Sequence, residues 1–377
     1  MRILVLDQFS EPGGAQLCLR DLMPEFLSRG WEPVLMAPGD GALMEWSRGL
    51  GIPAFPLPMG EYSNGRKSAR DCLRYSIDAP RMALVVRQTV RRKRVDLVYV
   101  NGPRALPAVL GVACPVVFHA HSRIRGWRER HLVRWILRSA NATIIAASGY
   151  VAAGLELQKV IYNGVADLGE GSRTFERRAA RVGIVGRIAP EKGHLDFVRA
   201  ARTLKESGSD AEFFVYGERL FARHTYEAQV RSEAGNAVTF RGWTNDVGHA
   251  LRNLEMLAVP SGTDEAATRV IMEAFSAGTP VVAYRSGGIP ELVEHGRTGL
   301  LTSAGSLCQT VDGLLRDRER MHLFSAAGRR EWEQRFRVGQ FRSRVCDLLE
   351  RCAQNASGLR HEAWAQAPSD GETAASR

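Results

Sequence analysis

Between Arg2 and Asn163, and again from Arg181 onward, short apolar runs alternate with stretches of helical spacing. That repeated alternation is the feature that most narrows the fold. Parallel strands need a crossover of a dozen or more residues, usually a helix, so strand–helix alternation predicts a doubly wound parallel sheet. In the first half the strands are read as Arg2–Phe9, Pro33–Ala37, Ala54–Leu57, Asp96–Asn101, Val116–Ala120, Ala142–Ala147 and Lys159–Asn163, with a helix over Ala15–Ser28. In the second half they are Arg181–Ile188, Glu212–Tyr216, Val238–Phe240, Met256–Val259 and Val281–Ala283, with helices over His194–Glu206 and Val270–Ala277.

The pattern lapses over residues 166–180, which read as a linker. We therefore expect an α/β chain of two Rossmann-like doubly wound domains, 1–165 and 181–340, facing one cleft. A helix over 341–354 is expected to return to the first domain, followed by a disordered tail over 355–377. A chain of 377 residues suits two domains of ordinary size. No early run fits a secretory h-region and none is long enough to span a bilayer, so a cytoplasmic protein is expected, peripheral at most on the inner face of the membrane. Six scattered cysteines with no metal-like spacing predict free thiols.

Charge is unevenly spread. Residues 1–165 carry 22 Lys and Arg against 13 Asp and Glu, a net of +9 within a whole-chain +10. A basic half-molecule calls for an anionic partner. Over Trp127–Arg138 a helical pattern sets Arg130, Arg134 and Arg138 on one side with Trp127, and Leu132, Val133, Ile136 and Leu137 on the other. Arg81, Arg87, Arg91, Arg92, Lys93 and Arg94 decorate a second helix. The alternatives are two core-packed helices with solvated faces, or a platform for an anionic leaflet or lipid-diphosphate acceptor. No nucleic-acid motif accompanies the charge.

Four motifs sit where chemistry could occur. Gly13-Gly14 follows the first strand and opens the first helix, where backbone amides suit an anion; a plain turn explains it equally well. Arg187 and Lys192 lie five residues apart on the turn after the first strand of the second domain, a fork and a point charge suited to a diphosphate. Glu273 stands eight residues after Glu265, flanked by Ile271, Met272 and Phe275, where a carboxylate needs a partner such as a ribose diol. His119 and His121 close the strand that starts at Val116, at the carboxyl end where ligands bind in open α/β sheets. Metal binding there lacks a third ligand in the sequence.

In their order along the chain these elements resemble the retaining GT-B glycosyltransferases of family 4 (group 1 type). The matching set is Gly13-Gly14, His119/His121, Ser148, Asn163-Gly164-Val165, Gly186-Arg187 with Glu191-Lys192-Gly193, Gly217, the Glu265/Glu273 pair and Gly287-Gly288-Ile289-Pro290-Glu291. The resemblance implies a retaining, metal-independent hexosyltransferase that needs no cofactor and takes a UDP- or GDP-sugar as co-substrate. It implies that Arg187 and Lys192 neutralise the leaving diphosphate, Glu273 holds the ribose and Glu265 touches the sugar hydroxyls. Gly14, Gly217, Thr268, Arg269 and Val270 would complete the donor site. His121, with His119 as the alternative, would be the active-site histidine. The acceptor would be a saccharide, lipid-linked or phosphorylated, in bacterial glycoconjugate synthesis. Rival readings are a sugar-nucleotide epimerase or hydrolase on this fold, or a silent transferase-like binding subunit. Two departures stand out: Gln16 where many relatives carry an acid, and Ala267-Thr268 in place of an aromatic-Gly pair.

Overall fold

The computed structural model describes residues 1–60, 68–155, 158–169, 175, 179–219, 224–262 and 265–365. The first sheet contains β1 (Arg2–Asp7), β2 (Glu32–Ala37), β3 (Ala54–Pro56), β4 (Leu97–Asn101), β5 (Val116–Ala120), β6 (Thr143–Ala146) and β7 (Gln158–Val160). Its spatial order is β3-β2-β1-β4-β5-β6-β7, and every pairing is parallel. The second sheet contains β8 (Arg181–Val185), β9 (Glu212–Tyr216), β10 (Thr239–Gly242), β11 (Met256–Val259), β12 (Val281–Tyr284) and β13 (Leu300–Thr302). Its order is β10-β9-β8-β11-β12-β13, again parallel throughout. This is the pair of doubly wound sheets that the alternation predicts. Helices cover both faces, which is why β4, β5, β11 and β12 are buried along their whole length and read as continuous apolar runs.

Strand order reverses between β1 and β4 and between β8 and β11. Crevices for ligands open beyond the carboxyl ends at such switch points. The local chemistry trims two expected strands there. β1 stops at Asp7 because its side-chain Oδ1 accepts the Phe9 amide at 2.9 Å and turns the chain. β8 stops at Val185 because Gly186 follows at φ 148°, outside any strand geometry.

The chain crosses from the first sheet to the second at Gly164–Val165 and comes back at Arg337–Val338. These two passages lie side by side. Val165 donates its amide to the Phe336 carbonyl at 2.9 Å, and Val338 donates to the Val165 carbonyl at 3.0 Å. A Cβ on Gly164 would fall 2.7 Å from the Arg337 carbonyl oxygen, so only glycine lets the strands meet this closely. The returning helix, Val338–Ala365, buries Phe341, Val345, Cys346 and Leu349 against Ile3, Val5, Leu19 and Leu22. It runs eleven residues past the expected end at 354. Arg29 fastens it through Asp347 at 2.7 Å and Glu350 at 3.2 Å. Most of the expected linker, 170–174 and 176–178, lies outside the described residues, as do residues 366–377 of the expected tail.

A second tie joins the domains across the cleft floor. Glu291 accepts the amides of Gly149 and Tyr150 at 2.7 and 2.6 Å and the Tyr162 hydroxyl at 2.9 Å. Ser148 Oγ donates to the Ala266 carbonyl at 2.7 Å. The Glu291→Ala protein therefore leaves two helix-starting amides without their charged acceptor. Hydrogen bonds to charged groups contribute about 1.5–3 kcal/mol each, so we expect Tm to fall by roughly 5–10 °C. Tyr162→Phe should cost less. Scanning calorimetry checks both, and an unchanged Tm for Glu291→Ala refutes the tie.

Candidate functional site

On the first domain, the register of three neighbouring strands sets Asp7, Asn101 and His119 side by side at the carboxyl edge. All three are fully buried. Asp7 accepts Gln16 Nε2 at 2.7 Å on one oxygen and Asn101 Nδ2 at 2.5 Å on the other. An ionised carboxylate can only accept, so the Asn101 amide nitrogen must face Asp7 and its oxygen must face away. That oxygen, Oδ1, lies 2.7 Å from His121 Nε2, which then carries the proton and leaves Nδ1 as the lone-pair nitrogen. His119 packs on His121 with ring centroids 4.0 Å apart and the rings tilted by 34°, and its Nδ1 meets the Tyr99 hydroxyl at 2.5 Å.

Burial sets the charges in this chain of bonds. It pushes the His121 imidazole down to about 4 and holds His119 well below the usual range, with His121 adding to the effect. It pushes Asp7 up to about 6 despite the hydrogen bonds from Asn101, Phe9 and Gln16, which pull the other way. At neutral pH the site thus presents a neutral, oriented imidazole. The position of Gln16 also acquires a reason. An acid there would set a second carboxylate against Asp7, whereas the amide donates to it.

On the second domain, the turn after β8 carries Pro190–Lys192 as a single 3-10 turn, closed by Gly193 at φ 72°. A Cβ on Gly193 would lie 2.0 Å from the Pro260 carbonyl oxygen, so glycine seats this turn on the end of β11. The packing delivers Lys192 Nζ to Glu265, 2.9 Å from Oε1 and 2.7 Å from Oε2. The two side chains are 24% and 14% exposed. Arg187 pairs with Glu191 on the same turn. Glu273, on the helix Arg269–Ser276, pairs with Arg269 Nε at 2.7 Å through Oε1.

A carboxylate among apolar neighbours needs a partner, and for the half-buried Glu273 that partner within the protein is Arg269. Thr268 caps the same helix with its backbone and keeps a buried hydroxyl that no protein group bonds among the described residues. Val270 packs against the core behind it. Gly217, at the end of β9, donates its amide to Gly242. Gly14 opens the first helix, Gly14–Ser28, with open space beside it. Lys192 and Glu265 thus come together on the second domain, with Arg187 nearby in the chain but paired to Glu191, and His119 meets His121 on the first. Asp7, Asn101 and Asp21 were not singled out from the sequence. Among the described residues, no group of three or more His, Cys, Asp or Glu could hold a metal ion.

The basic face differs from its expected layout. The helix Trp127–Ser139 buries Val133, Ile136 and Leu137 but leaves Leu132 48% exposed, together with Trp127 at 67% and Trp135 at 56%. Arg130 and Arg134 are half-buried rather than solvent-facing, while Arg128 and Arg138 are exposed. The arginine spacing predicts Leu132 facing inward, opposite the polar side. The two tryptophans, at 127 and 135, instead mark the outward face. The helix Ala69–Lys93 likewise exposes Leu73, Ile77 and Leu84 beside Arg74, Arg81 and Arg87. No helix among the described residues is long and apolar enough to cross a membrane.

Known proteins share this fold. Residues 12–167 match the family described as Glycosyltransferase Family 4, and residues 179–317 match Glycosyl transferases group 1. The structure of HepE from Anabaena in complex with UDP-glucose superposes with a TM-score of 0.78 at 26% identity, covering 93% of this chain and 99% of that one. A phosphatidylinositol monomannoside mannosyltransferase of Mycobacterium tuberculosis, described as GDP-mannose-dependent, is 30% identical over 178 residues, 44% of this chain and 46% of the relative. The 2-deoxystreptamine glucosyltransferase of Streptomyces kanamyceticus is 35% identical over 158 residues, 40% of each chain. The chain thus matches less than half the length of these two curated relatives.

Proposed function

The chain belongs to the family 4, group 1 glycosyltransferases, and from that premise we propose that it moves a hexosyl group from a UDP- or GDP-sugar to a saccharide acceptor with retention and without a metal ion. The observation that carries the reading is Lys192 held on Glu265 beside the Arg187 turn, at the switch point of the second sheet. Two cations on one turn supply the charge that a departing nucleoside diphosphate requires, and a preorganised cation stabilises that charge as it develops. Glu273 accepts the ribose hydroxyls. Glu265 accepts from the sugar hydroxyls while it steadies Lys192. His121, neutral and fixed by Asn101, offers Nδ1 to the sugar side of the cleft. A UDP-glucose complex of HepE and the GDP-mannose dependence in the mycobacterial relative's name support a nucleotide-sugar donor.

The acceptor is proposed to be lipid-linked or phosphorylated. Support comes from the net +9 of the first 165 residues and from the exposed Trp127, Leu132 and Trp135 beside Arg128 and Arg138. Aromatic rings and arginines on one face suit reversible docking to an anionic membrane, where each basic residue contributes about 1 kcal/mol. Wild type is expected to sediment with vesicles containing anionic lipid at low salt and to come off at high salt. The Arg128→Glu/Arg138→Glu protein should sediment far less. Wild type that ignores such vesicles even at low salt refutes the membrane part and leaves a soluble phosphorylated acceptor.

Turnover tests the rest. Activity with a nucleotide sugar should survive EDTA, and NMR of the product should show the donor's anomeric configuration. Strict dependence on added Mg²⁺ or Mn²⁺, or an inverted anomer, contradicts the proposal.

A further inference from the structure

The first helix and the helix Arg269–Ser276 belong to different domains, yet one guanidinium joins them. Arg269 donates Nε to Glu273 Oε1 at 2.7 Å, and a terminal nitrogen forms an ion pair with Asp21 Oδ2 at 2.7 Å without the angle of a hydrogen bond. The other terminal nitrogen lies 3.5 Å from the Gly164 carbonyl and 3.9 Å from Cys18 Sγ. Arg269, Asp21 and Glu273 are only 12–14% exposed. Asp21 is itself fixed, because Arg342 of the returning helix donates to its backbone carbonyl and Arg20 reaches its Oδ1 at 3.3 Å. Among the described residues, Glu273 Oε2 accepts no hydrogen bond. One carboxylate oxygen is therefore held and the other is left to receive a ligand.

From this arrangement we propose that Asp21 and Arg269 are positioning residues for nucleotide recognition: Asp21 holds the Arg269 guanidinium from the opposite domain, and Arg269 orients Glu273 toward the ribose diol. The inference rests on reading Glu273 as the ribose acceptor. The Asp21 charge holds one end of the rigid, planar guanidinium by ion pairing, which keeps its Nε edge turned toward Glu273. The charges make the coupling two-way. Two carboxylates from two domains share one cation in a nearly dry site. Without Arg269 they would face each other uncompensated, which is costly. Without Asp21 the guanidinium would be free to settle on Glu273 with both arms and occupy the oxygen meant for the ribose. In this account the domain contact and the nucleotide site are parts of one electrostatic unit, and the first domain shapes donor binding without touching the donor.

The test uses UDP and GDP as probes, each beside its 2′-deoxy counterpart, with dissociation constants measured by calorimetry. A site built to bond a hydroxyl discriminates against the analogue lacking it, so wild type should prefer the ribonucleotide by about tenfold or more. Asp21→Asn should lose most of that preference while still binding the deoxy form as wild type does. Asp21→Glu should restore part of it. The double variant Asp21→Asn/Glu273→Gln should bind no more weakly than Glu273→Gln alone, because groups acting as a unit are not additive. Arg269→Lys, which keeps the charge and loses the fork, should behave like Asp21→Asn. The apo Tm of each variant is measured alongside, and a general loss of folding would weaken both nucleotide forms equally. Full ribose discrimination in Asp21→Asn, or additive losses in the double variant, overturns the inference and leaves the proposed function standing. A wild type that binds neither nucleotide overturns the proposed function, and the inference with it.

Discussion

Replacing Lys192 by alanine is expected to weaken nucleotide-sugar binding by about thirtyfold to a hundredfold, the low end of the 2–5 kcal/mol typical for truncating one partner of a buried charge pair, because Lys192 keeps 24% exposure. The size of the effect follows from what is left behind. Lys192 Nζ bonds both oxygens of Glu265, whose side chain is only 14% exposed. Removing the ammonium deletes a cation proposed to face the diphosphate and also strips Glu265 of its counter-ion. A dianionic ligand would then approach an unneutralised carboxylate. The matching control is Glu265→Gln with Lys192 intact, which keeps the cation and removes the repulsion. It should bind the diphosphate at least as well as wild type and fail instead on the sugar. Calorimetric affinities for the nucleotide sugar and the free nucleotide separate these outcomes. Wild-type affinity in Lys192→Ala contradicts the site assignment.

Acid should destabilise the fold well before most carboxylates titrate. His119, His121 and His194 are all driven below the ordinary imidazole range, chiefly by burial, His121 and His194 to about 4. A depressed folded-state value means that the stability these groups contribute is complete above the unfolded value, about 6.5. That stability is lost as pH falls through 4. Asp7 acts in the opposite sense. Its value is raised from 3.8 to about 6, so its contribution is complete below 3.8 and is lost as pH rises through 6. Between pH 6 and 4, unfolding therefore takes up protons at three histidines and releases one from Asp7. Each net proton is worth about 1.4 kcal/mol per pH unit, so stability should drop by several kcal/mol between pH 6.5 and 4.5. Asp167, lowered to about 2, titrates outside that window. Asp7→Asn removes the opposing group and should steepen the fall. Chemical denaturation at pH 7, 5.5 and 4.5 measures it, and a flat profile across that range refutes the assigned burial of these imidazoles.

Most strands of both sheets were legible in the sequence because parallel strands with covered faces write themselves as apolar runs; their order was not. β13 was not read, since its three residues, Leu300–Thr302, are too short to stand out beside Thr298-Gly299. Within the site, legibility followed sequence distance. Arg269 and Glu273 are four residues apart on one helix, a spacing that puts opposite charges in contact, so their pairing could have been foreseen. Lys192 and Glu265 are separated by 73 residues, and Asp7 and Asn101 by 94; only the strand order brings each pair together. Asp21 lies on a helix of one domain, and nothing local marks it as the partner of an arginine in the other. Glu291 could be quoted from its motif. Its contacts, the amides of Gly149 and Tyr150, depend on how the two domains meet.

The central claim is that the second domain holds a nucleoside diphosphate sugar on Lys192 and Glu273. Thermal unfolding with a panel of UDP- and GDP-sugars in EDTA tests it most directly. At a hundredfold excess over its dissociation constant a bound ligand stabilises the native state by about 2.7 kcal/mol, a rise in Tm of several degrees. One or more of these donors should produce that rise in wild type and none in Lys192→Ala or Glu273→Ala. No shift with any UDP- or GDP-sugar, or an equal shift in all three proteins, contradicts the account.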